Sequence, residues 1–140
     1  MAMGLLTLLF GITWISFTSR DQKPVPTFPA TIHRDCAPWD GSAFTVSISM
    51  EGQQITISIY QSPEIQFPTT FSIPDDRMSI GNALLILPIG SPERLTGKVS
   101  FQRVVQDIPV AGGFDLVTEA DKHFKGKFIA KWGNEIVLCG

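Results

Sequence analysis

At 140 residues the chain has room for one domain built on one core. Apolar residues make up 44% and charged residues 17%, a balance that excludes a disordered or coiled-coil polypeptide. Eleven Lys and Arg against thirteen Asp and Glu give a formal charge of -2. With no excess of positive charge to neutralise phosphates, nucleic acid is not an expected partner.

Residues 1–18, MAMGLLTLLFGITWISFT, carry no charged side chain, and the first charge is Arg20. As a helix at about 1.5 Å per residue, this run reaches roughly 27 Å, close to the hydrocarbon thickness of a bilayer. We therefore expect one N-terminal hydrophobic helix over 1–19, acting as a transmembrane anchor or uncleaved signal segment. A cleaved signal peptide is the rival reading, but no Lys or Arg precedes the apolar run, and Ser16 and Thr18 make a poor cleavage site. Gly4, Thr7 and Gly11 share roughly one helical side, where small residues let a second membrane helix approach. Contact with membrane lipid is expected through this helix. The first cysteine, Cys36, lies too far downstream for lipidation.

Pro24, Pro26, Pro29 and Pro38 punctuate residues 20–40 and suggest an extended Pro-rich linker. From 41 to 140 the hydrophobic period is two. Phe44, Val46, Ile48 and Met50 alternate with Thr45, Ser47 and Ser49; after the turn at Glu51-Gly52, Ile55, Ile57 and Ile59 alternate with Thr56, Ser58 and Tyr60. This is a β-hairpin. Shorter strands are expected over 66–73 and 83–87, the latter apolar on both faces. A longer strand is expected over 97–108, with its phase slipping between Phe101 and Val104 as at a bulge. A second hairpin joins 113–118 to 123–132 through Glu119-Ala120-Asp121, and 135–139 forms a last short strand. Seven to eight short strands make an all-β domain, an antiparallel β-sandwich in preference to a small barrel, with Phe44, Phe101, Phe114 and Phe128 inward.

Cys36 and Cys139 bracket this body, and a disulfide between them would tie its ends together. Two buried free thiols are the alternative. No C-x-x-C motif is present, and His33 and His123 are the only histidines, so neither a metal site nor a cofactor is expected. The chain has no G-x-S-x-G, H-E-x-x-H, phosphate-binding glycine loop or calcium-loop pattern, and no catalytic residue is assigned. Asp115, Glu119, Asp121 and His123 cluster at one turn and could act as acid and base, but a solvated turn explains them more simply. Asp75, Asp76 and Arg77 read the same way.

Lys125, Lys127 and Lys131 project from one face of a single strand and could meet an acidic partner or lipid headgroups; a solvated or edge-protecting face is the plainer account. Trp39, in a Pro-Trp-Asp-Gly context, is a second interaction candidate, with capping of the core's open end as the equal alternative. The neutral hydroxyls of Thr45, Ser47, Ser49, Thr56 and Ser58 form a surface that a protein or glycan could use.

Gly97-Lys98-Val99-Ser100-Phe101, Gly113-Phe114-Asp115-Leu116, the run Phe124-Lys125-Gly126-Lys127-Phe128-Ile129-Ala130-Lys131-Trp132 and the final Cys139-Gly140 resemble a loosely defined group of bacterial secreted or lipoprotein-like β domains. The resemblance implies an extracytoplasmic β domain with a cysteine near its end and carries over no catalytic residue. The lack of an acylated cysteine sets this chain apart and makes the apolar segment the expected anchor.

Arg20, Lys23 and Arg34 follow the apolar run, and the positive-inside tendency would place that side in the cytoplasm. The cysteines and the Ser/Thr-rich β body favour an oxidising compartment. We expect the domain outside, periplasmic or at the cell surface. The expected function is a membrane-tethered, non-catalytic β domain serving as an accessory subunit of an integral membrane protein complex. The alternative is an extracytoplasmic module binding a small molecule, lipid or glycan.

Overall fold

Alternation of apolar and polar side chains is the dominant local signal, and it produces strands wherever it persists. The computed structural model describes residues 24–38, 41–60, 66–73, 80–135 and 137–139. The expected helix over 1–19, with Gly4, Thr7 and Gly11, lies outside the described residues, as do Trp39 and the turn residues Asp75, Asp76 and Arg77. Eight strands follow in order: β1 (Thr27–Cys36), β2 (Ser42–Met50), β3 (Gln53–Tyr60), β4 (Thr69–Ile73), β5 (Gly81–Ile86), β6 (Glu93–Phe101), β7 (Val110–Thr118) and β8 (His123–Trp132). Among the described residues no helix is long and apolar enough to cross a membrane.

The strands close into a seven-stranded barrel, ordered β6-β5-β3-β2-β1-β8-β7 and returning to β6, with β4 added alongside β6. This corrects the preference for a sandwich. The reason lies in β1, ten residues that the prolines had assigned to the linker. β1 pairs antiparallel with β2 and parallel with β8, so it joins what would otherwise be the two free edges of an open sheet. Pro29 is tolerated there because of how the strand faces its neighbours. The carbonyls of Pro26 and Ile32 accept from Lys127 and Gly133 of the β8 segment, so the even-numbered peptide groups point to β8. Pro29 points its donor-free nitrogen towards β2, whose ladder starts one residue later at Ala30–Ile48.

Other boundaries shift as well. β6 begins at Glu93 and ends at Phe101, and the expected bulged continuation to 108 is instead a connection leading into β7. The segment after β8 is not a strand: residues 133–135 and 137–139 carry no ladder. In β5, Ala83 and Leu85 are buried while Leu84 and Ile86 are only partly so, giving one buried face instead of two. β6 changes partner along one edge: Glu93, Arg94 and Leu95 pair with β5, whereas Gly97 to Phe101 pair with β4. Gly97 sits at this hand-over with φ 141°, and a Cβ there would lie 2.1 Å from the Asp115 carbonyl oxygen of β7. Only glycine fits both the dihedral and the space.

The interior is filled by the barrel's own side chains. Ile32, Val46, Ile48, Ile55, Ile57, Ile59, Leu95, Val99 and Leu116 are fully buried. Phe101 sits at the centre of an aromatic cluster, with ring centroids 5.3 Å from Phe44, 6.0 Å from Phe71 and 5.7 Å from Phe128. Such edge-to-face packing adds to what burial alone contributes. The expected inward phenylalanines, Phe44, Phe101, Phe114 and Phe128, are all buried. Cys36 and Cys139 form a disulfide that closes a sequence separation of 103 residues and fixes the C-terminal tail to the end of β1.

Candidate interaction surface

Strand direction defines two ends. β1 and β8 start at the same end, which also holds the β2–β3 turn, the β5–β6 connection and the β7–β8 turn. The described chain therefore enters the barrel at that end, at Pro24, while the disulfide lies at the other.

The β8 sequence sets up the surface. Phe124, Gly126, Phe128 and Ala130 are buried, so period two forces Lys125, Lys127, Ile129 and Lys131 outward, and all four are exposed. The neighbouring ladders extend this face. Asp115 of β7 lies opposite Lys125, and Lys98 of β6 lies opposite Asp115. Gly113 lies opposite Lys127, and Ser100 lies opposite Gly113. Four of the chain's six lysines thus share one outer face with one carboxylate, on a protein whose overall charge is negative. Among the described residues, none of Lys98, Lys125, Lys127 and Lys131 makes an ion pair.

Because Gly113 has no side chain, this face is indented. A groove of about 270 Å³ is lined by Lys98, Lys125 and Lys127, by Asp115 between the first two, by Gly113 and Ser100, and by Val25 where the chain comes in. A second depression of about 290 Å³ shares Ser100, Gly113 and Lys127 and runs on to Ile129, which is 52% exposed. The sequence had singled out Lys125, Lys127 and Lys131, and the structure places them on one face. It had missed Lys98, whose outward direction was readable from buried Leu95, Val99 and Phe101 but whose proximity to Lys125 depends on the β6–β7–β8 registers.

The remaining candidates are organised differently. The hydroxyl face of the first hairpin is partly tied down: Thr45, 7% exposed, donates to Asp35 Oδ2 at 2.9 Å and lies 2.9 Å from Ser58 Oγ. At the turn, His123 Nε2 lies 3.1 Å from Asp121 Oδ1 with both side chains largely exposed, while Asp115 belongs to the lysine face. Among the described residues no group of three or more His, Cys, Asp or Glu could hold a metal ion. At the disulfide end, Trp132 Nε1 donates to the Ile108 carbonyl at 2.9 Å and the Arg34 guanidinium lies 5.8 Å from the Trp132 ring, which ties the β6–β7 connection to β8 and sets β1 beside it.

What the fold and surface define is a closed β-barrel with a filled interior and one lysine-bearing outer face. Comparison with family models, with curated proteins and with solved structures finds no match to this chain.

Proposed function

We propose that this protein is a membrane-tethered, non-catalytic β-barrel domain, held outside the cytoplasm by its N-terminal apolar segment and serving as an accessory subunit of a larger membrane-protein assembly. The observation that carries this reading is where the organised chemistry lies. The interior is occupied by the barrel's own isoleucines and phenylalanines, so its outer surface is what it offers to other molecules. On that surface the concentrated feature is a charged face, built for contact, next to the point where the tether arrives.

The tether is shorter than the proline pattern suggested. With β1 starting at Thr27, the stretch between the apolar run and the barrel is 19–26. A stretch of that length reaches at most roughly 25 Å at about 3.1 Å per residue, within reach of a membrane-embedded partner. The disulfide suits an oxidising compartment. Purification of the native protein in mild detergent tests the proposal: a companion membrane protein in fixed stoichiometry is the expected result, and migration as a free monomer contradicts it.

A further inference from the structure

We infer that the lysine face of β6, β7 and β8 is a docking surface for the anionic phospholipid headgroups of the membrane to which the chain is tethered. The inference deepens the tether reading and rests on it for its choice of partner. Four observations converge. Lys98, Lys125, Lys127 and Lys131 stand together with Asp115 as the face's single counter-charge, so the face is positive on a chain of net charge -2. The outward residues of β2 and β3 include Ser47, Ser49, Thr56 and Ser58, and none of them is charged. Val25, seven residues after the apolar run ends at Thr18, borders the groove, so an extended tether cannot carry the groove more than about 25 Å from the end of that run.

The fourth observation is the kind of cation used. The cations that line the groove are all lysines, Lys98, Lys125 and Lys127, whereas Arg94, outward at the start of β6, lines a separate depression with Glu93 and Glu119. Arginine offers a fixed bidentate fork that matches a carboxylate or a phosphate in one geometry, whereas lysine binds phosphate as a point charge on a flexible stem. Point charges on mobile stems suit a fluid, laterally rearranging headgroup layer. The groove lined by Gly113, with the Ser100 hydroxyl beside it, gives a headgroup phosphate room to approach the flanking ammonium groups, and exposed Ile129 adds an apolar contact between Lys127 and Lys131. Each lysine near an anionic surface contributes about fivefold in partitioning, and the attraction is screened by salt.

The test uses the full chain reconstituted into vesicles of phosphatidylcholine alone or of an equal mixture with phosphatidylglycerol. Lysine acetylation is read residue by residue by mass spectrometry. The inference predicts that labelling of Lys98, Lys125, Lys127 and Lys131 falls about fivefold in the anionic vesicles and recovers at about 1 M salt, where the Debye length shrinks to about 3 Å. Vesicle flotation is scored in parallel. Flotation with both compositions and equal labelling overturns the headgroup inference and leaves the tether standing. Flotation with anionic vesicles alone overturns the tether and supports the face, and flotation with neither overturns both. Protection in native membranes without protection in anionic vesicles also overturns it, and assigns the face to an acidic protein.

Discussion

Replacing Gly97 with alanine probes the point where the barrel changes partners, and Gly52 supplies an internal control. Both residues have positive φ, 141° at Gly97 and 71° at Gly52, but their surroundings differ. A Cβ at Gly52 meets nothing within 4 Å, so Gly52→Ala carries the conformational cost alone, about 1 kcal/mol. A Cβ at Gly97 would lie 2.1 Å from the Asp115 carbonyl oxygen and 3.1 Å from Leu116 Cα. Both of those atoms are backbone, so relief requires β6 to move off β7 by about 1 Å and to weaken a ladder that the core holds in place. Strained dihedral and overpacking together cost about 3 to 5 kcal/mol. For a domain of this size, thermal unfolding followed by far-UV circular dichroism should show Gly52→Ala losing about 5 °C and Gly97→Ala about 15 °C or more. If the two variants melt within a few degrees of each other, the close approach of β6 and β7 at the hand-over is wrong.

Three further outcomes follow from the packing. The double variant Cys36→Ser/Cys139→Ser should lose about 2 to 5 kcal/mol by urea titration, because a link across 103 residues restricts the unfolded chain strongly; an unchanged midpoint would contradict this. Phe101→Ala removes the ring at the centre of the aromatic cluster and should cost about 3 to 5 kcal/mol, measured the same way. Thr45→Val deprives the part-buried Asp35 carboxylate of a donor and should cost about 1 to 2 kcal/mol. Faster hydrogen exchange should accompany it at the Cys36 amide, which donates to the other Asp35 oxygen at 2.8 Å.

Strand by strand, legibility followed how local the determining physics is. The β2–β3 and β7–β8 hairpins were readable because uninterrupted alternation and a short turn specify both strands and their register. The cysteine pairing was readable because two cysteines allow one intramolecular bridge. β1 was hidden by its prolines, which signal an extended chain without showing whether that chain is paired. Phe28, Ala30 and Ile32 do alternate inward, and that was the available signal. Barrel closure was not legible, since it depends on a parallel pairing between residues about a hundred positions apart, Thr27 with Lys127 through Ile32 with Trp132. The change of partner along β6 is also hidden, because β5 joins it as a short-range hairpin while β4 pairs with it across the intervening β5. The lysine face was half legible: one strand's alternation gave Lys125, Lys127 and Lys131, but joining Lys98 to them required two inter-strand registers.

In the proposed role the apolar segment is retained and holds the barrel at a membrane. The most direct test of this is the intact mass of the native protein recovered from alkaline-carbonate-washed membranes. A membrane-resident chain that still carries residues 1–18, with its cysteines oxidised, is the predicted result. A shortened chain recovered in the soluble fraction, lacking residues 1–18, would contradict it.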